Sequence, residues 1–473
     1  MGDSVVVVGA GPTGLVLACG LLSAGVSTRV VDQADGPATT SRALGLQPRG
    51  VEVLDRVGAL RDLPGRAVGI QRVVIHFGDG KAAQLRVGQP TRLVRRPGLL
   101  VSQAEIEAEL RRRLADLGGT IEWASRVEAV SPGPNRVTLH TAAGHSDHDW
   151  VVGCDGARSA VRKSAGIAFP GVPLVEGFLL ADVRADLPLS ADAAVVWLRG
   201  QEMFAAFPLP GGVWRFMAPA PDSTVDSAAE DVPAIMTRLM ADRAGLAASA
   251  VSEWEWTSVF RIHRRLADTY RRGRVLLAGD AAHIHSPFGG QGMNTGVGDA
   301  ENLAWRLGLV ASGRAGTALL DGYERERRPV ATEVLRSTTG LTGLVMGDSV
   351  PARLVRDRLI LPLMNLPLTQ TLIWEKASQL RVGYARGLPR RRPRIGDRMP
   401  RFTHDNGFRW TLAAPPDADG CAAAAREYLG DAVHTTTTTE RHLLLIRPDG
   451  HLAWRGQANP AALRAGLAGM LHR

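Results

Sequence analysis

Three carboxylates and three glycine-bearing turns in this 473-residue chain have the types and spacing that nucleotide binding requires. Gly9-Ala10-Gly11-Pro12-Thr13-Gly14 follows the apolar run Val5 to Val8 and opens a segment of helical apolar spacing, Thr13 to Ala24. In such a G-x-G-x-x-G turn Gly9 permits the tight bend. Gly11 lets the backbone approach a pyrophosphate, and Gly14 lets helix and strand pack closely. The helix N-terminus then faces phosphate charge. Asp32 lies at the end of the next strand, Thr28 to Val31, where an acid can accept from a ribose hydroxyl and disfavours a 2′-phosphate.

The second carboxylate, Asp155, belongs to Val151-Val152-Gly153-Cys154-Asp155-Gly156-Ala157-Arg158-Ser159, a strand that ends in a tight turn before a basic helix start. Taken alone, that is also how an ordinary strand-to-helix turn reads. The third, Asp280, stands in Gly279-Asp280-Ala281-Ala282-His283, after the strand Arg274 to Ala278. A carboxylate at a strand end, followed by small residues, suits a chain of sugar-like hydroxyls close to the backbone. Pro287 and Gly289-Gly290-Gln291-Gly292-Met293-Asn294 then open a long helix. Its unpaired N–H groups and positive dipole end can face a flat cofactor edge that becomes anionic. His283 and His285 form H-x-H, but no Cys, Asp or further His joins them at ligand spacing, so no metal is expected. A second G-x-G-x-x-G is absent from the chain, which argues against a separate nicotinamide-binding domain.

These residues need elements to hold them. The opening strand, helix and strand form a βαβ-type unit in an α/β fold, and a helix is expected from Gln103 to Leu117. From about Leu174 to Trp256 short strands such as Ala194 to Leu198, Met203 to Phe207 and Val213 to Met217 alternate with Pro/Gly turns. They predict a mainly antiparallel sheet inserted into the nucleotide domain. Met293 to Val310 is expected to be helical, with further helix through Val345 and on to about Tyr384. The expected domains are a discontinuous nucleotide domain (1–173 and 257–345), a substrate domain (174–256, with 70–100 a candidate addition), a helical connection (346–389) and a small tail domain (395–473). In the tail, His442 to Ile446 and His451 to Trp454 read as a hairpin about Pro448-Asp449-Gly450. Thr435 to Thr439 reads as surface loop or helix.

Composition narrows the function classes. The net charge is +9, yet of 56 basic residues only Lys81, Lys163 and Lys376 are lysines, and the arginines are scattered among acids. This reads as arginine preference rather than a nucleic-acid face. Arg111-Arg112-Arg113 is expected on the solvated face of a helix, and Arg390 to Arg394 in a Pro/Arg linker. Three cysteines without C-x-x-C imply no disulfide framework and fit a reducing cytoplasm. The N-terminal apolar run lacks the basic flank of a signal peptide, and Leu359 to Trp374 is interrupted by Pro362 and Pro367, so no membrane span is expected.

Taken together, these motifs resemble the single-component (class A) FAD-dependent aromatic hydroxylases over about Val5 to Val345. Ser41-Arg42-Ala43-Leu44-Gly45-Leu46, with Val51-Glu52-Val53-Leu54 and Gly58, resembles the polyketide hydroxylase and rifampicin monooxygenase subgroup. That resemblance implies a Rossmann-like FAD domain, an inserted β-sheet substrate domain and a C-terminal thioredoxin-like domain, here without C-x-x-C. It implies that Gly9, Gly11, Pro12, Thr13 and Gly14 hold the FAD pyrophosphate and Asp32 the adenosine ribose. Arg42 and Gln103 would contact the phosphate and ribityl region, Val127 the adenine by backbone, and Asp280 the ribityl chain. Pro287, Gly290, Gly292, Met293 and Asn294 would line the isoalloxazine. The Asp155-Gly156 motif is linked to both FAD and NADPH, and Trp150 replaces a residue that is often charged. The implied reaction uses NADPH or NADH, O2 and a C4a-hydroperoxyflavin to insert one oxygen atom into an aromatic polyketide or related antibiotic-like small molecule. No catalytic triad is expected; Arg42 and Arg215 are candidate electrostatic helpers. Phe204, Phe207, Arg215 and Phe216 are candidate substrate contacts, although a core role suits each of them too. Baeyer–Villiger or epoxidising oxygenation of the same substrates is an alternative, as is a flavin-binding protein without turnover. Trp254-Glu255-Trp256 lacks the Ile-Pro of a flavin halogenase and comes too late in the chain. A monomer or homodimer is expected.

Overall fold

A computed structural model describes residues 4–39, 43–78, 80–199, 202–220, 232–284, 290–345, 358, 361–385, 392–402, 407–416 and 418–472. Six helices matter below: α1 (Pro12–Ser23), α2 (Pro48–Val57), α3 (Gln103–Asp116), α4 (Val232–Ala244), α5 (Gly292–Ala311) and α6 (Asp321–Val345).

The four valines Val5–Val8 are fully apolar because they are covered on both faces, as a central parallel strand must be. They pair in parallel with Thr28–Val31 on one side and Trp150–Gly153 on the other. Val275–Leu277 extends the sheet in parallel beyond Trp150–Gly153. The chain leaves Val5–Val8 through α1 toward one neighbour and returns much later to the other. The strand order therefore reverses at this point and leaves a crevice at the carboxyl ends of Val5–Val8 and Trp150–Gly153. Helix α5 packs across α1 and is buried from Asn294 to Val310, with Asp299, Glu301, Asn302 and Arg306 buried among small and apolar residues. The approach is close: a Cβ on Gly20 of α1 would stand 2.7 Å from the Ala304 Cβ.

An eight-stranded sheet forms the second unit. It is mainly antiparallel, but Arg72–Phe77 joins Ala193–Arg199 in parallel and brings Ala82–Arg86 with it. Its long strands Gly171–Ala185 and Val251–Leu266 run through the expected boundaries at 173/174 and 256/257 and belong to this sheet over their whole length. Helix α4 covers one face with Val232, Met236 and Met240.

The tail is a four-stranded sheet ordered Val433–Thr437, Trp410–Ala414, Leu443–Ile446, Leu452–Gly456, with helices Cys421–Leu429 and Pro460–Leu471. Thr435 to Thr437 is thus strand rather than loop or helix. β-Branched threonines suit an edge strand, here parallel to Trp410–Ala414. The arginine triplet on α3 is less solvated than its sequence suggested. Arg113 Nε donates to the Val57 carbonyl at the end of α2 (2.8 Å), and Arg111 lies 3.6 Å from Glu107. Among the described residues no helix is long and apolar enough to cross a membrane.

Candidate cofactor site and its relatives

The glycine turn is shaped by the protein at two positions and left open at the third. Gly9 has φ +106°, and a Cβ there would overlap the Cys154 carbonyl. A Cβ on Gly14 would overlap the Gly9 carbonyl. Gly11, at the N-cap of α1, has an ordinary φ of −74°, and a Cβ there would meet nothing within 4 Å. The protein's own packing does not need a glycine at 11. The open space in front of it, at a helix N-terminus, is what an approaching pyrophosphate requires.

Asp32 braces the same crevice. One carboxylate oxygen accepts from the Ala10 N–H (2.6 Å) and the other from the Ala34 N–H (2.8 Å), leaving further lone pairs for a hydroxyl. Asp155 accepts from the Ala160 and Val161 N–H groups (2.7 and 3.2 Å), so its carboxylate caps the short helix Ala160–Ser164. Burial raises its pKa, against the lowering influence of these donors. Asp280 sits in the turn after Val275–Leu277. Its side chain is exposed to solvent. The surrounding protein raises its pKa, opposed by nearby His283.

Thr13 draws the segments together. A Cβ on Gly279 would stand 2.6 Å from its Oγ1, and one on Gly296 of α5 would overlap the same atom. The start of α1, the Gly279–Ala281 turn and the first turns of α5 therefore meet at one point. The side chain of Asn294 is turned into the protein: its Oδ1 accepts from the Gln47 N–H (2.9 Å) and its Nδ2 donates to the Gly290 carbonyl (3.0 Å). Only its backbone is left to face a ligand. Gly292 and Met293 are half-buried in the first turn of α5, and Gly290 precedes it with φ +60°. Gln103, at the start of α3, donates to Glu107 (2.7 Å), whose carboxyl is pushed up by burial. Val127 is buried opposite Thr141. Arg42, Pro287 and His285 lie outside the described residues. His283 turns inward to Asp299.

The substrate candidates divide by strand parity. Phe204 and Phe216 are fully buried against each other (ring centroids 5.2 Å apart) on the face that α4 covers. They are core residues, the role that the sequence also allowed them. Phe207 and Arg215 are directly paired in register and point to the opposite face. Arg215 is not a free cation: it forms a two-pronged pair with Asp182 (2.6 and 2.7 Å), lies over Trp256 at 5.3 Å, and comes within 3.5 Å of the Ala43 carbonyl. Asp182 and Trp256 carry no motif; register alone brings them there. Asp299 was also missed, although an acid inside a helix of small and apolar residues is a visible signal.

Residues 3–338 match the FAD binding domain family. A rifampicin monooxygenase from Rhodococcus hoagii is 34% identical over 471 residues, covering 96% of each chain. The 6-methylpretetramide 4-monooxygenase of Streptomyces rimosus is 40% identical over 356 residues, which is 73% of this chain but 62% of that relative. Among solved structures, the OxyS anhydrotetracycline hydroxylase from Streptomyces rimosus matches with a TM-score of 0.81 at 30% identity, covering 100% of both chains. Its mixed α/β fold is the fold described above. The chain belongs to the FAD-binding domain family, among its flavin-dependent monooxygenases.

Proposed function

We propose that the protein uses FAD, NADPH or NADH, and O2 to insert one oxygen atom into an aromatic polyketide or related antibiotic-like substrate. One observation carries this reading. The α1 turn, the Asp280 turn and the start of α5 converge through Thr13 on a single crevice, in front of a glycine whose Cβ would meet no protein atom. We read the first unit as Rossmann-like and the tail as thioredoxin-like; the tail's Cys421 is buried and forms no C-x-x-C.

FAD bound there supplies hydride acceptance and oxygen activation. The chain's own residues position it. The N–H groups of the first turn of α1, past Gly11 and Pro12, offset pyrophosphate charge. Asp32 accepts from the adenosine ribose while bracing Ala10, and Val127 offers backbone to the adenine. Gln103 and Arg42 serve the phosphate and ribityl region, and Asp280 takes the ribityl hydroxyls. The Asp155 turn holds the crevice wall by capping its own helix. Pro287, Gly290, Gly292, Met293 and Asn294 line the ring system, where the helix N-terminus stabilises electron density at the ring edge. Phe207 and Arg215 face the substrate. Arg215, already paired with Asp182, orients a ligand by hydrogen bonding rather than as an isolated charge.

Incubation of the FAD-loaded protein with NADPH, ¹⁸O₂ and a panel of aromatic polyketides tests the proposal. A yellow protein, substrate-stimulated NADPH oxidation and one labelled oxygen in the product are expected. A ring-expanded ester would move the chemistry to Baeyer–Villiger insertion. Protein that cannot take up FAD would sink the whole reading.

A further inference from the structure

Several segments line the cofactor crevice, and one buried carboxylate outside it ties two of them together. Asp299 lies in α5, within two turns of its start, and is fully buried. Its Oδ2 accepts from the Gly279 N–H (3.2 Å) and pairs with His283 Nε2 (2.6 Å). Its Oδ1 accepts from Arg327 Nε (2.7 Å). Arg327, on α6, in turn donates to the Thr295 carbonyl in the first turn of α5 (3.0 Å) and to the Tyr384 hydroxyl (3.2 Å). Gly298 makes room for this, since a Cβ there would stand 2.9 Å from Arg327 Nη2.

Burial acts to raise the Asp299 pKa, but His283 and Arg327 outweigh it and hold the group below the ordinary carboxylate range. An ionised acid with three donors gives short, directional bonds. Buried ion pairs return little net stability after desolvation, so positional specificity is the better account of this one. The bonds run to the residue before Asp280, to the start of the strand after the same turn and, through Arg327, to the helix start proposed to face the ring system.

We propose that Asp299 is a positioning residue for the cofactor. It fixes the Gly279–Asp280 turn against the first turns of α5, so that the Asp280 carboxylate and the α5 N–H groups engage one ligand together. This rests on the FAD reading above.

Asp299→Asn keeps the size but removes the charge. Its FAD Kd, read by fluorescence quenching, should rise about tenfold or more. The visible circular dichroism of the bound FAD should change shape as well. Asp449→Asn disturbs buried charge at the far half of α5; it should lower Tm while leaving Kd and spectrum at the parent values. His283→Leu removes one partner of Asp299 and leaves the Arg327 pair intact. A Kd rise of about threefold is expected there, and it decides the matter if Asp299→Asn does not fold. Parental Kd and spectrum in Asp299→Asn, or in His283→Leu where the first is unfolded, would overturn the proposal. Equal losses of affinity in Asp299→Asn and Asp449→Asn would do the same. A parent protein that does not bind FAD would overturn the cofactor reading instead.

Discussion

The two halves of α5 use buried polarity in opposite ways. From Gly292 to Gly298 the helix is mostly small, packs on Thr13 and turns its N-terminal N–H groups toward an accessible crevice. From Glu301 to Arg306 it buries charged and polar side chains that find partners inside the chain. Glu301 pairs with Arg49 and Arg56 of α2. Arg306 and the tail's Arg447 share Glu326 (both 2.8 Å). Asp449, in the tail's hairpin turn, accepts from Asn302 Nδ2 (3.2 Å), Trp305 Nε1 (3.3 Å) and Arg447 Nη2 (2.7 Å). Its backbone carbonyl takes Arg49 Nη2 (2.9 Å), and Arg398 reaches Glu52. The first half keeps hydrogen-bonding capacity for a ligand; the second closes a seam between the tail and the cofactor half. Damage to the first should appear in cofactor affinity, and damage to the second in stability.

The largest expected effect comes from breaking the seam. Asp449→Asn leaves buried cations short of a counter-charge and should cost about 3–5 kcal/mol in urea unfolding. An unfolding free energy within error of the parent would erase the distinction. Acid should attack the same seam. Burial acts to raise the Glu326 pKa, but Arg447 and Arg306 outweigh it and bring it from 4.5 to about 2. A depressed carboxylate contributes stability that is complete above the unfolded value and lost as pH falls through the folded one. The loss should therefore fall between about pH 4.5 and pH 2 and reach at most about 3 kcal/mol. Glu326→Gln should flatten that limb of the stability profile; an unchanged limb would count against the assignment.

The crevice should respond differently. Gly11→Ala fits the backbone and meets no neighbour, so apo stability should hold or rise by about 0.4–1 kcal/mol. FAD affinity should nevertheless fall about 10- to 100-fold, because the methyl enters the space of a charged hydrogen-bonded group. Loss of folding in this variant would show that the open space is not a ligand cradle. The smallest effect is expected outside both halves of α5. Phe207→Ala, on the sheet face away from α4, should raise substrate KM by a factor corresponding to about 1 kcal/mol with FAD Kd unchanged. A change confined to FAD binding would remove Phe207 from the substrate face.

Much of the cofactor half was legible because its signals are local. The unbroken valines Val5–Val8, the spacing of Gly9, Gly11 and Gly14, and Asp32 at the next strand end are each set by the geometry of one strand, turn and helix. The same holds for the strands about Phe204 and Arg215, whose alternation is visible in ten residues. Which face of those strands a helix covers was not visible. It follows from α4 docking on one side, and α4 lies beyond them in the chain. Phe204 and Phe207 face opposite sides by strand parity, and a distant helix covers only the first. Thr435 to Thr437 became strand through pairing with Trp410–Ala414, a contact that composition does not report.

The sequence by itself determined the glycine turn, the two later candidate cofactor segments and the family, since each depends on residues adjacent in the chain. Only the tertiary structure decided that Arg215 is neutralised by Asp182, that Asp299 ties the Gly279 turn to α5, and that Asp449 joins the tail to α2 and α5. Those contacts join residues 20 to 400 positions apart. Their energy depends on burial and on donor geometry, and neither exists until the chain has packed.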